Sequence, residues 1–155
     1  MRFGQRPAIV FESRTLTWSE LNEEANRYAQ YFKGQGLERG DTVSLIMENR
    51  VEFLALLIGL NKLGVTIGLI NTNLNGRPLA HCVNVTNSKK CIFGAEVAAR
   101  MEEVKAELSL SEGEDYYVVA DGDNAPSLNW AIDLGSASDD ADRKSTRLNS
   151  SHQII

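Results

Sequence analysis

Cysteine, proline and histidine are all scarce in this chain: two Cys, three Pro and two His among 155 residues. Cys82 and Cys91 stand too far apart for a CxxC site, and neither has a His or Cys neighbour at metal-ligand spacing. Both read as reduced, buried small hydrophobes, with no metal or redox role. Residues 1–7 carry two arginines but no apolar stretch follows, so no secretory signal is expected. The longest apolar run, residues 53–60, falls far short of the roughly 20 residues that a membrane-spanning helix needs. These absences predict a cytoplasmic segment, in which the sequon Asn84-Val85-Thr86 is a chance match. Basic charge is also short. The formal net charge is −5 and no basic stripe is present, which argues against nucleic acid as a partner. Neither GxGxxG nor a Walker-type GxxxxGK occurs.

Hydrophobic residues make up 43% and charged residues 24%, the balance of a globular protein with its own core, and the length suits one domain. Residues 8–11 and 14–17 are short β-like runs on either side of Glu12-Ser13, the pattern of a hairpin. Thr17 stands three residues before Glu20, a capping-box spacing. Leu21, Ala25, Tyr28, Ala29 and Phe32 then follow at helical spacing until Gly34 and Gly36 end the helix. Residues 42–47 form an apolar run of strand length. It meets Asn49, an N-cap candidate with Glu52 three residues on, and a helix over 51–63 that is apolar nearly all round. Such a helix must be covered on more than one side, and left uncovered its face would make the chain marginally stable or prone to associate.

Residues 65–70 are the next strand, followed by a short helix with Pro78 in its first turn running to about Val83. Residues 89–93 predict a strand. Residues 96–108 predict one helix, with Val97, Met101, Val104 and Leu108 on its core face. Residues 116–120 predict a strand, and residues 128–134 a weak helical stretch. The alternation of helices with short strands apolar on both faces predicts an α/β fold: a partial parallel sheet with helices on both faces, preceded by a small β-hairpin.

After Ala141 the character changes. Asp142-Arg143-Lys144-Ser145-Thr146-Arg147-Leu148-Asn149-Ser150-Ser151-His152 has no period, no packing stripe and a sudden basic bias. It matches, residue for residue, what one reading frame of a common short-read sequencing adapter would encode. Residues 1–141 are therefore expected to be the native segment, an incomplete domain, and residues 142–155 a non-native, disordered tail left out of fold reasoning. Asn149-Ser150-Ser151 is then an accidental sequon. The alternative, a basic tail for nucleic acid or acidic lipid, is the weaker reading.

No catalytic, cofactor-binding or metal-ligating residue is assigned. His81 has no sequence-local nucleophile or metal partner and reads as structural. Gly34, Gly64 and Gly94 fall where elements end and read as punctuation. Glu48-Asn49-Arg50 is more interesting, three polar groups at the carboxyl end of a buried strand, where open α/β sheets place ligands. A helix cap with flanking surface charges explains it better. The amide-rich loop Asn71-Thr72-Asn73-Leu74-Asn75 is explained by side chains that bond their own backbone.

Arg6-Pro7-Ala8-Ile9-Val10, Leu16-Thr17-Trp18-Ser19-Glu20-Leu21-Asn22 and Gly40-Asp41-Thr42-Val43 resemble the opening of adenylate-forming enzymes, the acyl-CoA synthetase, adenylation-domain and luciferase superfamily. Met47-Glu48-Asn49-Arg50 with Glu52-Phe53, Gly59-Leu60 with Lys62-Leu63-Gly64-Val65, and Leu69-Ile70-Asn71-Thr72-Asn73-Leu74 with Leu79-Ala80-His81-Cys82 resemble its fatty-acid transport protein branch. That resemblance implies the early part of the large amino-terminal domain of a long-chain fatty acid–CoA ligase linked to fatty-acid uptake. The parent enzyme would use ATP, magnesium (Mg2+), coenzyme A and a long-chain fatty acid, with peripheral membrane association as an expectation. The family's phosphate loop, ribose-binding acid and catalytic lysine come later than anything present here, so the segment alone is expected to be inactive. A stand-alone α/β binding or interaction module, or a piece of a short-chain, medium-chain or aryl-acid ligase, are the alternatives.

Overall fold

The two extended runs at the start pair as the sequence predicts. β1 (Pro7–Phe11) and β2 (Arg14–Thr17) run antiparallel in the computed structural model, which describes residues 3 to 152. Met1 and Arg2, and residues 153–155 of the tail, lie outside the described residues. Thr17 caps α1 (Trp18–Gly34) through the expected box: its hydroxyl accepts from the Glu20 amide at 3.2 Å while Glu20 Oε1 accepts from the Thr17 amide at 3.0 Å. Gly34 completes the last turn, and the chain turns away at Gly36, whose φ of 88° suits glycine.

Five strands then form one all-parallel sheet in the order β4-β3-β5-β6-β7: β3 (Thr42–Ile46), β4 (Thr66–Leu69), β5 (Lys90–Gly94), β6 (Tyr116–Val119) and β7 (Ile132–Asp133). α2 (Val51–Lys62), α3 (Gly76–Val85), α4 (Ala98–Val104) and α5 (Leu134–His152) complete the chain. One core cluster joins α1, α2 and α5 to the sheet through Phe32, Leu45, Leu56, Leu60, Tyr117 and Leu134. The other lies on the opposite face, where α3 and α4 bring Leu79, Val83, Met101 and Val104 against Phe93 and Tyr116. Helices therefore cover both faces, as both-sided burial of the strands requires.

α2 crosses α1 closely because Gly59 has no side chain; a Cβ there would lie 2.5 Å from the Ala25 carbonyl oxygen. Val51, Ala55, Leu56 and Leu60 of α2 are buried, while Phe53, Leu54, Leu57 and Ile58 are half-buried.

Four expectations are corrected. The expected helix over 96–108 is broken into a 3-10 turn (Ala95–Val97), α4 and a second 3-10 turn (Lys105–Glu107), although Val97, Met101, Val104 and Leu108 are all buried as their spacing predicts. The weak helix over 128–134 is a loop and β7 instead. Trp130 is drawn into the core there, stacked on Phe93 at 5.3 Å and edge-on to Tyr116 at 5.3 Å, and the chain beyond it pairs in parallel with β6. α2 starts from Arg50 as N-cap, with no side-chain cap bond, rather than from Asn49. α5 runs past Ala141 to His152, so residues 142–152 are helical rather than without regular structure. Leu134, Ala137 and Ala141 pack on the core, and the Arg143–Asp140 ion pair extends the helix by its next turn.

Candidate functional site

In an open parallel sheet the place to look is the carboxyl edge at the point where successive crossovers leave in opposite directions. Here that point lies between β3 and β5. From β3 the chain passes through α2 to β4 on one side, and from β5 through α4 to β6 on the other. Glu48-Asn49-Arg50 follows β3, Glu96 follows β5, and Ala120 and Asp121 follow β6.

The structure divides the Glu48-Asn49-Arg50 triplet. Glu48 and Asn49 are exposed, but Arg50 is buried. Its Nη1 donates to Glu96 Oε2 at 2.9 Å, and its Nη2 donates to the carbonyls of Val119 and Ala120, each at 3.2 Å. The Glu48 amide donates to the same Glu96 oxygen at 2.7 Å. Burial works against the Glu96 carboxylate, yet the Arg50 hydrogen bond, the amide donors and the Arg50 charge together hold its pKa below the ordinary value. The expected flanking surface charge is thus an internal tie between three strand ends. Glu96 was hidden in the sequence as a helix-start residue; a Gly-x-Glu after one strand facing an arginine after its neighbour is the signal that could have found it.

A second group of charges adjoins the first. Arg14 of β2 reaches Glu24 of α1 at 2.5 Å and Glu52 of α2 at 2.8 Å. Burial pushes the Glu24 carboxyl up against the opposing pull of Arg14. Between the hairpin turn and the start of α2 lies a cleft of about 240 Å³, lined by Phe11, Glu12, Arg14, Arg50, Glu52 and Asp121 among others. Acidic side chains outnumber basic ones there, and both arginines are committed to ion pairs. The lining does not fit a polyphosphate, which needs uncommitted cations or free backbone amides.

The remaining sequence candidates are structural. Asn71 Oδ1 accepts from the Asn73 amide at 2.8 Å, the self-bonded turn expected, and Arg100 donates to the carbonyls of Thr72 and Leu74 from α4. His81 lies exposed on α3, and no group of three His, Cys, Asp or Glu residues that could hold a metal occurs among the described residues. Burial pushes the Cys91 thiol up to about 12, so it stays protonated, while Cys82 is only partly buried. Among the described residues no helix is long and apolar enough to cross a membrane.

Comparison with known proteins supplies the parentage. The family described as AMP-binding enzyme matches residues 1–154. Long-chain fatty acid transport protein 1 of Bos taurus is 38% identical over 112 residues, covering 71% of this chain and 17% of the relative. A long-chain-fatty-acid–CoA ligase, FadD13 of Mycobacterium tuberculosis, is 35% identical over 92 residues, 59% of this chain and 18% of that protein. Among solved structures, the anthranilate CoA ligase AuaEII in complex with anthranoyl-AMP superposes with a TM-score of 0.79 at 20% identity, over 90% of this chain and 26% of that one. A putative long-chain-fatty-acid CoA ligase from Rhodopseudomonas palustris gives 0.73 at 21% identity, over 87% and 33%. At those identities the structures speak for the fold alone, and the chain spans only 17% of the length of the bovine relative. With the family matched along almost every residue, the chain belongs to the AMP-binding enzymes, the adenylate-forming superfamily.

Proposed function

We propose that this chain is the early part of the amino-terminal domain of a long-chain fatty acid–CoA ligase. The observation that carries this reading is the 38% identity over 112 residues to a long-chain fatty acid transport protein, supported by a fatty-acid–CoA ligase among the relatives. The full enzyme would join a long-chain fatty acid to the adenylyl group of ATP, releasing pyrophosphate, and then transfer the acyl group to the thiol of coenzyme A, releasing AMP. When bound, ATP, Mg2+ and coenzyme A would supply the adenylyl group, the charge neutralisation and the thiol of that sequence. The arginines of the cleft beside the hairpin are already ion-paired and offer the ATP phosphates no uncommitted cation, which supports a phosphate site in the rest of the enzyme.

What this segment contributes is a scaffold: a rigid sheet edge and the covering helices α1 and α2. By itself it is inactive. Residues 142–155 are proposed to be non-native, and the parent enzyme to be cytoplasmic with access to a membrane surface where its fatty acid partitions.

The test is ATP–pyrophosphate exchange by the complete reading frame with a panel of acids. Exchange that is strongest with acids of hexadecanoate length supports the reading. A preference for benzoate, anthranilate or butyrate would move the enzyme to an aryl-acid or short-chain ligase, and no exchange with any acid would refute ligase function.

A further inference from the structure

Arg50 is the side chain on which the carboxyl edge converges. Only 6% exposed, it spends one nitrogen on Glu96 from the end of β5 and another on two carbonyls at the end of β6, while its own backbone leaves β3. Glu96 closes the circuit by accepting the Glu48 amide. The backbone leaves room for this: a Cβ on Gly94 would stand 2.1 Å from Glu96 Oε1, so a side chain there would displace the carboxylate. Among the described residues Arg50 Nε has no hydrogen-bond acceptor; it stands 3.9 Å from Glu52 Oε2, and Glu52 in turn holds Arg14 of the hairpin. A continuous line of charges therefore runs from the hairpin to the three strand ends.

Stability alone is a poor reason for such a pair, because a buried ion pair replaced by apolar groups of similar size is often as stable or more so. What a guanidinium fork supplies and an apolar contact does not is fixed spacing and direction among several acceptors at once. Arg50 leaves β3 on one side of the switch point and its acceptors follow β5 and β6 on the other, so the guanidinium bridges the place where open α/β sheets hold their ligands. We propose that Arg50 is a positioning residue: with Glu96 it sets the spacing of the β3, β5 and β6 carboxyl ends, and so the floor against which the full enzyme holds its substrates. The identity of those substrates rests on the ligase reading above; the clamp itself rests on the geometry.

The test uses the complete enzyme with Arg50→Met, Arg50→Lys and the double change Arg50→Met with Glu96→Leu, which removes both charges and keeps the volume filled. The fraction of enzyme that forms adenylate in a single turnover measures how much is folded and competent. For the double variant that fraction is expected to match wild type while kcat/KM falls on the order of 10²-fold, the cost of misplacing groups remote from the chemistry. Arg50→Lys, which keeps the charge without the fork, should fall between. A double variant with wild-type kcat and KM overturns the proposal and leaves the pair a purely structural one. If the wild-type enzyme activates no acid, the ligase reading fails and backbone amide exchange decides the clamp. Faster exchange at Glu48, Ala120 and Asp121 in the double variant supports it, and unchanged exchange overturns it.

Discussion

Arg50 Nη1 donates to Glu96 Oε2 at 2.9 Å across 46 residues of sequence, from the end of one parallel strand to the end of its neighbour. The Glu96 carboxyl is held below its ordinary pKa, so the unfolded chain binds that proton more readily than the folded one. The stability it contributes is present in full above the unfolded value of about 4.3 and is lost as pH falls through the folded value. Glu24, raised by burial, titrates in the opposite sense and is common to wild type and variant. Urea unfolding of wild type and Glu96→Gln at a series of pH values isolates the difference. The wild-type advantage is expected near neutral pH and should shrink below about pH 4; an advantage that does not change with pH would contradict the pairing.

Gly94→Ala should cost about 1–3 kcal/mol, the usual penalty of forcing an extra group into filled space. The added Cβ meets the Glu96 carboxylate at 2.1 Å. Gly34→Ala, with nothing among the described residues within 4 Å of the new atom, serves as the control. In a Glu96→Ala background the Gly94→Ala penalty should largely vanish, and urea midpoints at constant m-value measure the coupling.

Gly59→Ala should be costly for a different reason. Its Cβ would meet backbone, the Ala25 carbonyl oxygen at 2.5 Å, so α1 and α2 must move apart as units. A loss of about 1–3 kcal/mol is expected, with little relief from any single side-chain change nearby.

Self-association is expected of residues 1–141 expressed alone. β4 is an edge strand with Leu69 59% exposed, and Phe53, Leu54, Leu57 and Ile58 of α2 are only half-covered. Sedimentation velocity should show oligomers that Leu69→Lys reduces. A monomer that unfolds cooperatively would instead favour a self-sufficient module.

Much of the fold was legible because its signals are local. The capping box at Thr17 and Glu20 and the self-bonded turn at Asn71 and Asn73 span four and three residues, and the structure forms both. The parallel sheet followed from short runs apolar on both faces. What the sequence did not reveal depends on distant partners. Arg50 looks like a surface charge until Glu96 and the β6 carbonyls are brought beside it by folding. Gly94 looks like punctuation, yet it clears space for a carboxylate two residues on. Trp130 carries a residue spacing compatible with a helix, and only the Phe93 and Tyr116 rings explain why its segment is a loop and strand. Helical continuity beyond Ala141 was likewise hidden, since α5 is anchored by Leu134, which lies before the change in composition.

The most direct measurement is the genomic sequence of the locus read through residue 141 in both directions. A reading frame that continues past Ala141, with a Ser/Thr/Gly-rich phosphate loop in place of residues 142–155, is the expected result. A genomic stop codon directly after Ile155, with the tail encoded as it stands, would contradict membership of a longer ligase.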